Sequence, residues 1–287
     1  MQGKVVVVTG GTSGIGEVAA VELAKKGARI VLVARNPARA ESTLQKLRQA
    51  NPAVQPTVHF GELSLLTDMQ RVAADIAKAE ARIDVLVNNA GALFNTRRVT
   101  ADGLEMTFAV NHMGYFVITQ GLLHRLKATP GARIVCTSSG AHRGGRVDFA
   151  DLQSTRGFFG FRVYATSKLE NILFTRELAR RLQGTGVTVN CLHPGFVASR
   201  FADHSGGVMA ALTGIGKSLF AISPAQGAKT IVYLASSPDV AAISGEYFYK
   251  SKVAPVVAAA RNDDGARRLW EESERILAGA QLEKRAA

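Results

Sequence analysis

The sequence reads as an α/β protein built on a doubly wound parallel sheet with helices on both faces. The opening stretch Lys4-Val5-Val6-Val7-Val8-Thr9-Gly10-Gly11-Thr12-Ser13-Gly14-Ile15-Gly16 is the first reason. Its run of valines marks a strand buried on both faces, the kind found inside parallel sheets. Its glycines cluster where that strand must turn sharply into a helix beginning near Gly14. Second, apolar strand-like runs alternate with helix-periodic stretches to about residue 250, which specifies parallel strands joined by crossover helices. Third, the chemically distinctive residues fall just past strand ends or on the helix that follows. Open α/β sheets bind their ligands there.

After the Gly-rich turn, Glu17 to Lys26 has helical spacing with Val18, Val21 and Leu23 apolar, and Gly27 closes it. Arg29 to Ala34 is the second strand, and Pro37 suits the first turn of a helix running to about Ala50. Thr57 to Gly61 is a third strand, Ser64 to Ala79 a helix, and Ile83 to Asn88 a fourth strand broken by Asn88-Asn89-Ala90-Gly91. A long helix is expected from Asp102 to Leu126, then a fifth strand from Ala132 to Thr137. Gly140 to Val163 is irregular, Tyr164 to Leu182 strongly helical, and Val187 to Leu192 a sixth strand ended by His193-Pro194-Gly195. Ser199 to Ile222 is Gly-rich and apolar. Ala225 to Ala235 is helical, Glu246 to Tyr249 a final short strand, and Asp264 to Leu277 an amphipathic helix. No linker, repeat or low-complexity run divides the chain. Residues 1–287 are therefore expected to form a single domain, with a loop at about 199–223 and a C-terminal helix at about 264–278.

At 47% hydrophobic, a chain of 287 residues can bury a full core without staples. Cys136 and Cys191 sit inside apolar strand-like runs, so they read as reduced core thiols, and a cytoplasmic location is expected. The first strand begins at Lys4, which leaves no room for a signal or anchor before it, and no apolar run is long enough to span a bilayer. The formal charge of +12 is spread over many helices without a dense patch interleaved with aromatics. It reads as a solvated basic surface and points away from specific nucleic-acid binding. The 6 histidines have no carboxylate or cysteine neighbours at ligand spacing, so no metal site is expected.

Gly10 allows the tight turn, and Gly14 and Gly16 clear the approach of a pyrophosphate to backbone N–H groups at the positive end of a helix. Thr12, Ser13 and Ile15 complete that cradle. At the end of the second strand, a carboxylate would suit the ribose 2′-hydroxyl of NAD, whereas an Arg accommodates a 2′-phosphate. Ala34 occupies the acidic position and Arg35 follows with no acid beside it, so NADP(H) is the expected cofactor. Tyr164 and Lys168 are four apart on one helix face. An ammonium beside a phenol stabilises the phenolate and lowers the tyrosine pKa. Such a pair alone is an ordinary helix face; its meaning comes from its company.

Thr9-Gly10-x-x-x-Gly14-Ile15-Gly16, Asn88-Asn89-Ala90-Gly91, Asn111, Ser139, Tyr164-x-x-x-Lys168 and Pro194-Gly195 occur in this order, and the chain resembles the short-chain dehydrogenases/reductases from Lys4 to beyond Trp270. Within them it is most similar to the retinol-dehydrogenase-like branch. That likeness rests on the run from Leu169 to Leu182, on His193-Pro194-Gly195, on Ala266 to Trp270, and on the long interval between Ser139 and Tyr164. The resemblance implies a Rossmann-type fold and hydride transfer between NADP(H) and an apolar carbonyl or alcohol. It makes Tyr164 the general acid or base, Lys168 the ribose contact, Ser139 (or neighbouring Ser138) the partner of the substrate oxygen, and Asn111 the organiser of a proton-resupplying water chain. Asn89, Ala90 and Gly91 would line the cofactor floor, and Pro194, Gly195, Val197 and Ser199 would hold the carboxamide. Glu62-Leu63 stands where the family usually has Asp-Leu, which alters the adenine contact. Phe158, Phe159 and Phe161, with the apolar segment after Ser199, would flank the substrate. The apolar Leu173, Phe174, Leu178 and Leu182 pack inward or pair across a homo-oligomer. A catalytically silent, NADP(H)-sensing or scaffolding member of the fold is the competing reading. It has no need of Ser139, Tyr164 and Lys168 together.

Overall fold

The computed structural model describes residues 1–196 and 222–286, with side chains as far as Ala280. Eight strands among them form one sheet: β1 (Val5–Thr9), β2 (Arg29–Ala34), β3 (Thr57–Phe60), β4 (Val85–Asn88), β5 (Arg133–Thr137), β6 (Thr188–His193), β7 (Tyr247–Tyr249) and β8 (Lys252–Val253). Their order is β3-β2-β1-β4-β5-β6-β7-β8, parallel throughout except for the last pair. The order reverses between β1 and β4, which opens a crevice beyond the strands' carboxyl ends.

The helices are α1 (Gly14–Lys25), α2 (Pro37–Ala50), α3 (Leu66–Ala79), α4 (Met106–Phe108), α5 (Gly114–Lys127), α6 (Gly160–Arg181), α7 (Pro224–Ser236) and α8 (Asp263–Ala286). The valine run explains why both faces are covered. Val5 and Val7 point into one core with α3, α5, α6 and α8, while Val6 and Val8 point into the other with α1, α2 and α7. Leu173, Phe174, Leu178 and Leu182 are all buried in the first core, so they pack within the chain. Trp270 of α8 stacks on Phe174 at 5.9 Å and meets Phe116 edge-on at 5.0 Å. No helix among the described residues is long and apolar enough to cross a membrane.

Several boundaries differ from the sequence-based expectation, each for a tertiary reason. The long helix does not begin at Asp102, because that carboxylate accepts the backbone N–H of Leu66 and caps α3 instead. Glu105 takes its place, accepting the N–H groups of Thr107 and Phe108. The helix also contains a π-turn, Ala109–Met113, between α4 and α5. α6 starts at Gly160, one turn before Tyr164, where a Cβ would lie 2.2 Å from the Phe94 carbonyl oxygen. β8 follows a two-residue hairpin in which Lys250 and Ser251 take φ of 50° and 59°, an arrangement usually signalled by Gly or Asn. The terminal helix is longer than expected and reaches Ala286.

At the amino-terminal rim, the buried Asp84 accepts the Val5 N–H at 2.9 Å and pairs with Lys4 at 3.0 Å and Arg82 at 2.5 Å. Burial alone would raise its pKa, but hydrogen bonds from Arg82, Val5 and Lys4 outweigh it and hold the carboxyl below the usual range.

Candidate active site

The crevice is floored by β1, β4 and β5 and their following turns. Thr9 Oγ1 accepts the N–H groups of Asn89 (3.0 Å) and Ala90 (3.1 Å), and Asn89 Nδ2 donates to the Gly10 carbonyl (3.1 Å). The turns after β1 and β4 are thereby sewn together. Gly10 has φ of 64°, and a Cβ on it would lie 2.7 Å from Ala90 Cα. Gly14, at the start of α1, has φ of 57°. Gly16 departs from the expectation: a Cβ there would meet Asn89 Nδ2 and the Gly10 oxygen at 2.3 Å. Its bareness keeps the helix tight against the turn rather than clearing space for a ligand. Ser13 makes no side-chain cap on α1, which leaves first-turn N–H groups without that partner and suits them to an anion. Thr12 and Ile15 are half-buried beside them and Ser13 is exposed.

The two serines ending β5 are separated by geometry. Ser138 Oγ is buried and donates to the Lys168 carbonyl at 2.7 Å, whereas Ser139 Oγ accepts the Ala141 N–H at 3.2 Å and lies on the side of Tyr164. Tyr164 and Lys168 lie one turn apart on α6, facing the strand end. Lys168 Nζ donates to the Thr137 carbonyl at 3.2 Å and sits 5.5 Å from the Tyr164 ring centre. The electrostatics differ from the simple expectation of a lysine that acidifies its tyrosine. Burial raises the Tyr164 pKa, with neighbouring Ser139 opposing, and burial pushes Lys168 down to about 7. Desolvation disfavours charge on both groups.

Asn111 lies in the π-turn. Its Oδ1 accepts the Ala92 N–H at 2.8 Å, and its Nδ2 donates to the Ala92 carbonyl and to Ser167 Oγ, both at 2.9 Å. Ser167 in turn donates to the Tyr164 carbonyl at 2.7 Å. Both amide hydrogens are thus committed, and the side chain clamps the β4 turn to α6 instead of presenting a donor to water. Gly91 completes the floor, since a Cβ there would come within 3.3 Å of both Asn111 Oδ1 and Lys168 Nζ.

Around this centre, Gly195 takes φ of 96°, and its N–H donates to His193 Nδ1 at 3.3 Å. His193 stacks on Tyr249 and is held neutral, its pKa pushed down to about 4 by burial and by nearby Arg143 and His142. Pro194 stands between them at the end of β6. Val197, Ser199 and the apolar segment after them lie outside the described residues. Phe159 and Phe161 are exposed at the start of α6 and Phe158 is half-buried, so they are not core residues. At the far end of the crevice, Arg35 has an acidic neighbour that its local sequence does not reveal: Nη1 meets Glu62 Oε2 at 3.3 Å. Leu63 packs against the core beside Gly114.

Three residues at the site were not singled out from sequence. Tyr115 donates to the Thr137 carbonyl at 3.2 Å and places its ring 5.8 Å from Lys168 Nζ. Asn171 Nδ2 donates to that same carbonyl, and Ser167 supports Asn111 as described. Tyr115 follows Asn111 by four and Asn171 follows Lys168 by three, so helix spacing from the motif residues was the available signal.

The family model for short chain dehydrogenases matches residues 4–206. The chain belongs to the short-chain dehydrogenase family. Its place is in the retinol-dehydrogenase-like branch of these oxidoreductases. It is 41% identical to retinol dehydrogenase 14 of Mus musculus, covering 96% of this chain and 86% of that one. It is 40% identical to retinol dehydrogenase 13 of Homo sapiens, covering 96% and 85%. Among solved short-chain dehydrogenase-like structures, it superposes on an uncharacterized protein from Mycobacterium paratuberculosis with a TM-score of 0.77 at 28% identity, covering 96% of this chain and 94% of that one. A short chain dehydrogenase from Burkholderia cenocepacia, solved in complex with NADP, gives a TM-score of 0.69 at 26% identity over 86% and 96% of the two chains.

Proposed function

We propose that this short-chain dehydrogenase is NADP(H)-dependent and interconverts an apolar carbonyl compound, of the retinoid-like or long-chain aldehyde kind, with its alcohol. The observation that carries the reading is the convergence of Ser139, at the end of β5, with Tyr164 and Lys168 one turn apart on α6, Lys168 Nζ donating to the Thr137 carbonyl at 3.2 Å and lying 5.5 Å from the Tyr164 ring centre. When bound, the nicotinamide supplies or accepts the hydride. Burial keeps the Tyr164 phenol protonated at neutral pH, ready to donate as negative charge develops on the substrate oxygen. Ser139 orients that oxygen. Lys168, held by Thr137 and flanked by Tyr115, faces the ribose position over Gly91.

The chain's own features fit the cofactor. The uncapped start of α1 with Gly10, Thr12, Ser13, Gly14 and Ile15 would receive the pyrophosphate, Gly16 holding that start tight against the turn. Asn89, Ala90 and Gly91 would form the floor, Glu62 and Leu63 would border the adenine, Arg35 would meet the 2′-phosphate, and Pro194 and Gly195, with Val197 and Ser199 beyond the described residues, would take the carboxamide. Asn111 acts by clamping Ala92. The apolar substrate is supported by the names of the relatives and by the exposed Phe159, Phe161 and Phe196. We read 1–287 as one catalytic unit in a reducing, cytoplasmic setting.

The test is NADPH oxidation with straight-chain aldehydes of increasing length. Each methylene should improve kcat/KM by up to ~0.8 kcal/mol while the chain still fits. A flat series, or a preference for sugars, counts against the apolar pocket. On the best substrate, Tyr164→Phe should lower kcat by about 10²–10⁴-fold with NADP⁺ binding retained. Near-normal turnover would remove Tyr164 from its role.

A further inference from the structure

β2 and β3 run in parallel with Ala34 paired to Phe60, and the Gly61 N–H donates to the Ala34 carbonyl at 3.0 Å. This register brings the residues just past the two strand ends side by side. Arg35 Nη1 meets Glu62 Oε2 there at 3.3 Å. The Glu62 backbone is fixed independently, its N–H donating to Asp68 Oδ2 at 2.9 Å. Arg71 donates to the Phe60 carbonyl at 2.8 Å and pairs with Asp68 and Asp75 at 3.0 and 3.3 Å. The neighbouring guanidinium is therefore committed elsewhere. Along this rim two guanidiniums, Arg35 and Arg71, face three carboxylates, Glu62, Asp68 and Asp75.

We propose that Glu62 sets the limit on how strongly this protein prefers a 2′-phosphorylated adenosine, by holding Arg35 as its own ion-pair partner. The proposal rests on the reading of Arg35 as the phosphate contact. A 2′-phosphate approaching Arg35 must displace the Glu62 carboxylate and then lies beside it. A 2′-hydroxyl requires no displacement and can donate to that same carboxylate. Glutamate has the reach for this pairing, one methylene more than the aspartate expected at this place. Both side chains are substantially solvent-exposed, 64% and 32%, so the pair is weak and screened. Glu62 thus reduces selectivity by a modest factor and leaves its sign unchanged.

Calorimetric titration of the full chain with adenosine 2′,5′-bisphosphate and with NAD⁺ reads this directly, without turnover. Glu62→Gln and Glu62→Ala should each raise the ratio of bisphosphate affinity to NAD⁺ affinity about three- to tenfold, more at low ionic strength, the adenine contact being common to both ligands. Arg35→Ala should weaken the bisphosphate by about tenfold or more, and Glu62→Gln should have little effect in that background. If both Glu62 variants leave that ratio unchanged while Arg35→Ala weakens the bisphosphate, Glu62 has no such role and the Arg35 reading survives. If Arg35→Ala leaves bisphosphate affinity unchanged, the Arg35 reading fails and takes the Glu62 proposal with it.

Discussion

Ser138 and Ser139 are adjacent, alike, and put to different uses by the two sides of a strand end. Ser138 Oγ bonds the Lys168 carbonyl in a buried setting, while Ser139 Oγ faces Tyr164. Ser138→Ala should cost about 1 kcal/mol in urea unfolding and leave kcat within a few-fold, whereas Ser139→Ala should keep its stability and lose at least about tenfold in kcat/KM. Equal losses of activity in the two variants would contradict this division. The order of motifs in the sequence was enough to nominate Ser139, Tyr164 and Lys168. It could not give the protonation balance between Tyr164 and Lys168, because burial outweighs their proximity and burial is a property of the whole assembly. Arg35 looked unopposed for a similar reason. Its partner Glu62 is 27 residues away and becomes a neighbour only through the β2–β3 register.

At the scale of elements, periodicity located the strands and most helices, and the misplacements arose where one element serves another. Asp102 has the chemistry of a helix cap and is one, but for α3. The π-turn at Ala109–Met113 is invisible in the pattern because its residues are apolar or buried on either register. Its His112 donates from Nε2 to Ser273 Oγ at 2.8 Å, the serine's own proton going to the Leu269 carbonyl, which ties α8 to the turn carrying Asn111. α6 holds a further buried acid. Glu170 is 2% exposed, and burial reinforced by nearby Glu105 pushes its pKa up to about 8. A folded pKa above the unfolded value means that the folded state binds the extra proton. Its contribution is complete below about pH 4.5 and is lost as pH rises through about 8. Glu170→Gln should therefore gain stability relative to the parent across that window, by on the order of a few kcal/mol above pH 8. A thermal-unfolding difference that does not change with pH would refute it.

For the molecule as a whole, the alternation of one valine strand separates the described helices between two cores, which is why the fold was the most legible part of the sequence. The sheet also has two chemically unlike rims. The carboxyl-end rim carries Ser139, Tyr164 and Arg35; the amino-end rim carries the Asp84 cluster with Lys4 and Arg82. Asp84 has a depressed folded pKa, so its stabilisation is present above the unfolded carboxylate pKa and is lost as pH falls through the folded value. Asp84→Asn should cost about 1–3 kcal/mol at pH 7 and progressively less toward pH 3, measured by chemical denaturation, with the KM values for cofactor and substrate unchanged. A penalty that is constant in pH would mean that packing, and not charge, holds that rim together.

The Asp84 cluster bears on how such an enzyme could be re-engineered. Loosening a specificity pocket commonly reduces stability, and a scaffold with little in reserve then fails to accumulate in the cell. Here the two demands fall at opposite ends of the strands. A library that diversifies the surface around Phe159 and Phe161, proposed above to flank the substrate, can be built on a parent reinforced beforehand around Lys4, Arg82 and Asp84. Changes at the two ends share no side-chain partner and should combine additively.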